Sequence, residues 1–238
     1  MGSKTCLLIQ SQGDARQALA TLPAPDEAAT AGFVASLFPD TPFLRPGEAD
    51  LSWTYVRDGL VLAGCSEGLR ILVAAEVAID EPSRLPPRFI AAQGRTILHS
   101  MNSVVDWLAF AVWEDGVLRR SLSVAPDGGV MEDLGERFAF ELPYWQGAHP
   151  AGDPEEEAEE GGEPYPLPFH PLELGEVVLR ELLGFQLEGA VDPALPVQQP
   201  ERIRLLRFEP ARPPAIALPA SASEPTKPST PKPWWKFW

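Results

Sequence analysis

The chain has 238 residues, 45% of them hydrophobic, which is enough to bury a substantial core in one large domain or two small ones. Its 19 basic and 34 acidic residues leave a net charge of -15, a surface that repels phosphate backbones and argues against nucleic acid as a partner. Two cysteines, no basic-then-apolar leader and no apolar run near the roughly 20 residues of a bilayer-spanning helix point to a cytoplasmic protein.

The 27 prolines gather around 23–46, 82–87, 164–171 and 193–233, which confines long regular elements to the stretches between. KTCLLIQSQGD predicts a buried strand from Thr5 to Gln10, stopped by polar residues and Gly13. DEAATAGFVASLF offers Asp26 as an N-cap and places Ala29, Phe33, Val34 and Leu37 near helical spacing, so a helix is expected there. In LSWTYVRDGLVLAGCSEGLRILVAA, Asp58-Gly59 suits a tight hairpin between two β-prone runs, and Glu67-Gly68 turns the chain into a third strand, Leu69 to Ala75. EPSRLPPRFIAAQG reads as a short helix with Pro86 and Pro87 in its first turn.

RTILHSM is a further strand, and VVDWLAFAVWEDGVLRRSLSVAPDGG is the clearest hairpin, with Asp115-Gly116 at its tip. Trp107, Ala109, Ala111 and Trp113 alternate with Leu108, Phe110 and Val112, so this strand is apolar on both faces and belongs inside a sheet covered on both sides. The acidic block at about 151–164 cannot bury its like charges and reads as a solvated loop. Beyond it, Pro171 opens a helix with an apolar stripe of Leu172, Val178, Leu179, Leu182 and Leu183, ended by Gly184. ERIRLLRF is expected as a last, edge strand. The sum is an α+β domain over residues 1–209, built on a mostly antiparallel sheet of five to seven strands with two or three helices. Residues 210–238, rich in Pro, Ala and Ser, read as a disordered tail.

DWLAFAVWEDG and YPLPFHPLELG, with the MGSKT opening, are long and unusual blocks. Through them the chain resembles an uncharacterised, largely actinobacterial family of cytoplasmic proteins defined only as a domain of unknown function. The resemblance covers most of residues 1–190 and implies no activity, ligand or catalytic residue.

Several chemistries can be weighed against plainer readings. Cys65 with His99 and Asp106 has the residue types of a thiol nucleophile, base and orienting carboxylate, but no nucleophile loop surrounds Cys65. Gly64 to Gly68 spells G-x-S-x-G around Ser66, yet the strand-like LRILVAA that follows favours a hairpin over a strand-to-helix elbow. His99, His149 and His170 lack the spacing of a zinc site, and the acidic run 153–163 lacks the alternating ligands of a calcium loop. No metal or cofactor is implied. APDGGVMEDLG is a turn whose Asp127, Glu132 and Asp133 oppose an anion.

The tail ends in KPWWKFW, with Trp234, Trp235 and Trp238 beside Phe237 and Lys236. Each aromatic group exposes area whose burial is worth roughly 1.5–3 kcal/mol. Three fates compete for this tip: docking into a partner protein, weak attachment to a membrane surface through Trp and Lys, or folding back onto its own domain. The leading expectation is a non-enzymatic binding or interaction module whose tip recruits a partner protein. The alternatives are a peripheral membrane-surface adaptor and an enzyme, such as a hydrolase using Cys65 or Ser66 with His99.

Overall fold

The computed structural model describes residues 4–151, 165–189, 192–197 and 199–211. The chain opens with strand β1 (Lys4–Ser11) and the short helix α1 (Ala15–Ala20), whose N-cap Asp14 accepts from the Arg16 amide at 2.8 Å. Helix α2 (Glu27–Leu37) follows, capped by the Asp26 carboxylate accepting from the Ala29 amide at 2.8 Å. Next come β2 (Gly47–Asp50), β3 (Val61–Ser66) and β4 (Leu69–Val73), then 3₁₀ turns at Ala75–Val77, Pro82–Arg84 and Pro87–Phe89. Strands β5 (Arg95–Asn102), β6 (Trp107–Glu114), β7 (Val117–Ala125) and β8 (Gly129–Gly135) form a meander. The chain then makes the single turn α3 (Leu142–Trp145), the long helix α4 (Pro171–Leu183) and β9 (Arg204–Phe208).

One sheet holds all nine strands in the order β2-β9-β3-β4-β1-β5-β6-β7-β8, and each pairing is antiparallel. The α+β class stands, but nine strands and four helices among the described residues exceed the five to seven and two or three expected. Two strands escaped the reading because they lack apolar alternation: β2 is GEAD, and β8 is GVMEDLG on the sheet's edge. LSWTYV, expected as a strand, is irregular; Asp58 (φ 57°) and Gly59 (φ 73°) do turn the chain, but β3 pairs with β4 and β9 instead. ERIRLLRF is not an edge, since β9 lies between β2 and β3. EPSRLPPRF yields two 3₁₀ turns, because closely spaced prolines remove the amide donors that a longer helix needs.

The sheet is covered on both faces, as the alternation in β6 requires. One face carries Leu7, Ile97, Met101, Leu108 and Phe110 beneath α4, and Gly175 of that helix sits where a Cβ would lie 3.1 Å from Met101 Sδ and 3.2 Å from Leu108 Cδ1. Glycine is needed there for helix and sheet to approach this closely. The opposite face carries Leu8, Leu98, Trp107, Ala109 and Ala111 beneath the 3₁₀ segment, with Gln10 Nε2 donating to the Phe89 carbonyl at 2.9 Å. Helix α2 lies on this second side, where the Cys65 amide donates to Thr30 Oγ1 at 2.9 Å and Phe38 meets Phe89 edge-to-face. Helix α4 ends at Gly184 (φ 78°), whose amide closes the last turn onto the Leu179 and Arg180 carbonyls.

Candidate functional site

The pairing that a Cys65 or Ser66 hydrolase requires is not made. Cys65 aligns through Arg70 and Gln10 with Thr96, so His99 lies three residues along and three strands across, on the opposite face of the sheet. Ser66 shares the face of His99, but it is four residues along and three strands across, roughly 20 Å away at ordinary strand spacings. Asp106 stands at the other end of β5, in the positive-φ turn before β6. It faces His170 at 3.6 Å, and Tyr165 stacks on that imidazole at 5.9 Å. His149 stacks on Tyr144 at 4.3 Å.

His99 itself is fully occupied. It is completely buried, with Nε2 3.0 Å from the Gly175 carbonyl and Nδ1 2.8 Å from Thr5 Oγ1. A carbonyl only accepts, so Nε2 carries the proton and Nδ1 accepts from the threonine hydroxyl. Burial pushes its pKa down to about 4, partly offset by the Gly175 hydrogen bond. Cys65 is buried too, and desolvation raises its thiol despite contact with Thr30; at Cys6 burial pushes the thiol up to about 12. Both therefore remain neutral thiols, poor nucleophiles at neutral pH.

Gly64 to Gly68 forms the β3–β4 hairpin, not an elbow, with φ 69° at Gly68. What sits around that hairpin is a polar cleft of about 350 Å³ at the end of the sheet, walled by Gln10, Ser11, Gln12, Ser66, Arg70 and Gln93. Arg70 lies 5.4 Å from the Phe33 ring centroid and places Nη1 3.4 Å from Gln10 Oε1. Beyond Ser66 and Arg70 the surface continues into a second depression against α2, lined by Gly32, Phe33, Ser36 and Cys65. Amides, hydroxyls and one guanidinium can hold a small polar or anionic group by hydrogen bonds.

An apolar groove of about 460 Å³ lies between α2 and the proline-rich residues 39–46. Val34, Ala35, Phe38, Phe43, Leu44 and Phe208 line it, and Phe43 meets both Phe38 and Phe208 edge-to-face at 6.0 Å. Neither surface was singled out from sequence. Arg70 stands in the apolar run LRILV with no neighbouring motif to mark it, and the groove joins residues from α2 to β9 that are far apart along the chain.

A larger polar cluster underlies β7 and β8. Arg120 is wholly buried and donates from Nε and Nη2 to Glu141, also wholly buried, and from Nη1 to Asp133 at 2.6 Å. Arg137 binds the other oxygen of Asp133 at 2.7 Å and lies 3.8 Å from the Trp145 ring centroid. Burial would raise the Asp133 carboxyl, but hydrogen bonds from Arg137 and Arg120 outweigh it and hold the group below its ordinary value. Glu132 receives the Ser121 hydroxyl and the Ser83 amide and hydroxyl. With its partners satisfied internally, this cluster fastens the 138–145 segment to the sheet. Among the described residues, no group of three or more His, Cys, Asp or Glu side chains is placed to hold a metal ion.

The model of DUF6928, a family of unknown function, matches residues 5–208. The chain belongs to this family. No curated protein and no solved structure matches it. The DUF6928 match spans the sheet from β1 to the last residue of β9, and so includes both the polar cleft and the apolar groove. Trp234, Trp235, Lys236, Phe237 and Trp238 lie beyond the match and, like the acidic block 153–163, outside the described residues.

Proposed function

We propose that this chain is a cytoplasmic, non-enzymatic binding module whose C-terminal aromatic tip recruits a partner protein. The observation that carries the reading is the concentration of Trp234, Trp235, Phe237 and Trp238 in five residues, set against the places taken by the other tryptophans. Trp107 and Trp113 are buried in β6, and Trp145 packs against Phe169 and under Arg137. Only Trp53, at 52% exposure beside Arg207, stands largely open. The tip is thus rich in the residue types that dominate interface energetics. Neutral buried thiols and a fully hydrogen-bonded His99 support the non-enzymatic part. Among the described residues no helix is long and apolar enough to cross a membrane. The net charge of -15 favours a protein partner over nucleic acid.

The test compares the full chain with a version lacking residues 231–238 and with a Trp234→Ala, Trp235→Ala, Trp238→Ala triple variant. Affinity capture from the source cells should recover a partner with the full chain and lose it, at least tenfold, with both altered forms. Flotation with anionic vesicles should be indifferent to the change. Equal capture by all three forms would sink the reading, and tip-dependent flotation without capture would assign the tip to the membrane surface.

A further inference from the structure

The last described residues, 209–211, run along the wall of the apolar groove. Pro210 bridges to Phe43, the Leu44 amide donates to the Glu209 carbonyl at 2.8 Å, and the Ala211 amide donates to the Pro42 carbonyl at 2.7 Å. The last described residues are therefore held against the same 39–46 segment that forms one side of the groove. The groove presents apolar Val34 and Phe38, with the exposed Ala35 and the 51% exposed Leu44 along its open side. At about 460 Å³ it falls inside the range of roughly 300–1,000 Å³ found for ligand clefts.

We propose that this groove is the intramolecular seat of the chain's own aromatic tip, residues 234–238. Chemistry, charge and connectivity agree on that occupant. The phenylalanine edges of the groove suit indole and phenyl rings, which favour edge-to-face contact. Arg45 at the rim can lie over an indole face, and the exposed Asp40, between the lining residues Pro39 and Thr41, can meet Lys236. Residues 212–238 carry Arg212, Lys227, Lys232 and Lys236 against Glu224 alone, on a chain of net charge -15. The 22 residues 212–233 span up to roughly 70–80 Å when fully extended, so return to a groove beside the departure point is within reach. Tethering also makes the encounter intramolecular, with an effective concentration on the order of millimolar for a short linker. The seat does not depend on partner recruitment: a recruited partner would compete with the groove for the same rings, yet either interaction can exist alone.

Disulfide trapping in the full chain tests the seat. Leu44→Cys with Phe237→Cys places one thiol on the lip and one in the tip, while Cys6 and Cys65 stay buried and unreactive. A reference pair, Val130→Cys with Phe237→Cys, uses a site of similar exposure on β8, at the opposite edge of the sheet from β2. On mild oxidation the Leu44 pair should form a compact cross-linked monomer at least ten times faster than the reference pair. Adding Ala35→Arg, on the exposed side of α2, should reduce that rate to the reference level without shifting the urea midpoint. Equal rates for the two pairs, cross-linking only between chains, or fast trapping that survives Ala35→Arg would each overturn the proposal.

Discussion

His99 shows how one residue's surroundings decide its role. A histidine in a strand is a candidate base only while its nitrogens are free, and here a threonine hydroxyl and a helix carbonyl hold both. The closeness of α4 that creates the second bond depends on Gly175, because a side chain there would meet Met101, Leu108 and the imidazole. Buried as the neutral form, His99 gives the fold a defined pH dependence. Its folded pKa of about 4 lies below the ordinary value of 6.5, so the unfolded chain binds the proton more readily. The native state consequently keeps its full stability above about pH 6.5 and loses it as the pH falls toward about 4, by roughly 2–3 kcal/mol near pH 4.5. Carboxylates titrate in the same window, so the comparison is with His99→Gln, which removes the imidazole proton. Urea unfolding at about pH 7 and pH 4.5 should show the wild type losing that much more stability than the variant between the two conditions. Parallel losses would mean that His99 does not remain neutral in the fold.

At the scale of elements, local signals succeeded where the chain marks its own boundaries. Asp26 before α2, Gly184 after α4 and the Asp115-Gly116 tip of the β6–β7 hairpin each state a backbone geometry in their chemistry, and each stands where it was expected. Strands β2 and β8 were invisible because pairing, not side-chain alternation, makes them strands. The Arg120–Glu141 pair was equally hidden, since its members stand 21 positions apart with no local pattern to join them. That pair links β7 to the segment before α3, with the Phe138 amide donating to the same carboxylate at 2.8 Å. Removing Glu141 leaves Nε and Nη2 of the wholly buried Arg120 and the Phe138 amide without their acceptor, with Asp133 as the remaining carboxylate, so Glu141→Ala should cost about 3–5 kcal/mol. Arg120→Met with Glu141→Leu should recover most of that loss, because an apolar pair carries no desolvation penalty. Urea midpoints of the single and double variants measure both, and an additive double variant would show that the charges were not coupled.

The whole molecule could not be assembled from its elements because its first strand sits at the sheet's centre. β1 accepts β4 on one side and β5 on the other, and β9 returns from the far end of the sequence to separate β2 from β3. No local pattern announces such long-range neighbours, and the two surface depressions depend on them: the polar cleft needs β1 beside β4, and the apolar groove needs β9 behind α2. The same order divides the sheet energetically. β1 and β5 pair over eight residues, each with its other edge also paired, whereas β9 joins β3 through three residue pairs, and β2 is a four-residue outer strand. Opening of the β2–β9 end thus breaks few ladder bonds and exposes little of the buried β1–β5–β6 centre. In hydrogen exchange followed by mass spectrometry, amides of β2 and β9 should exchange at least tenfold faster than those of β1, β5 and β6. Since the chain leaves the described fold at Ala211 against this weaker end, an occupied groove would tie β9 to α2 and slow the exchange of β9. Substituting Trp234 and Trp235 by Ala should then accelerate exchange in β9 and residues 39–46 alone. Uniform protection across all nine strands would instead mean that the sheet opens as one unit.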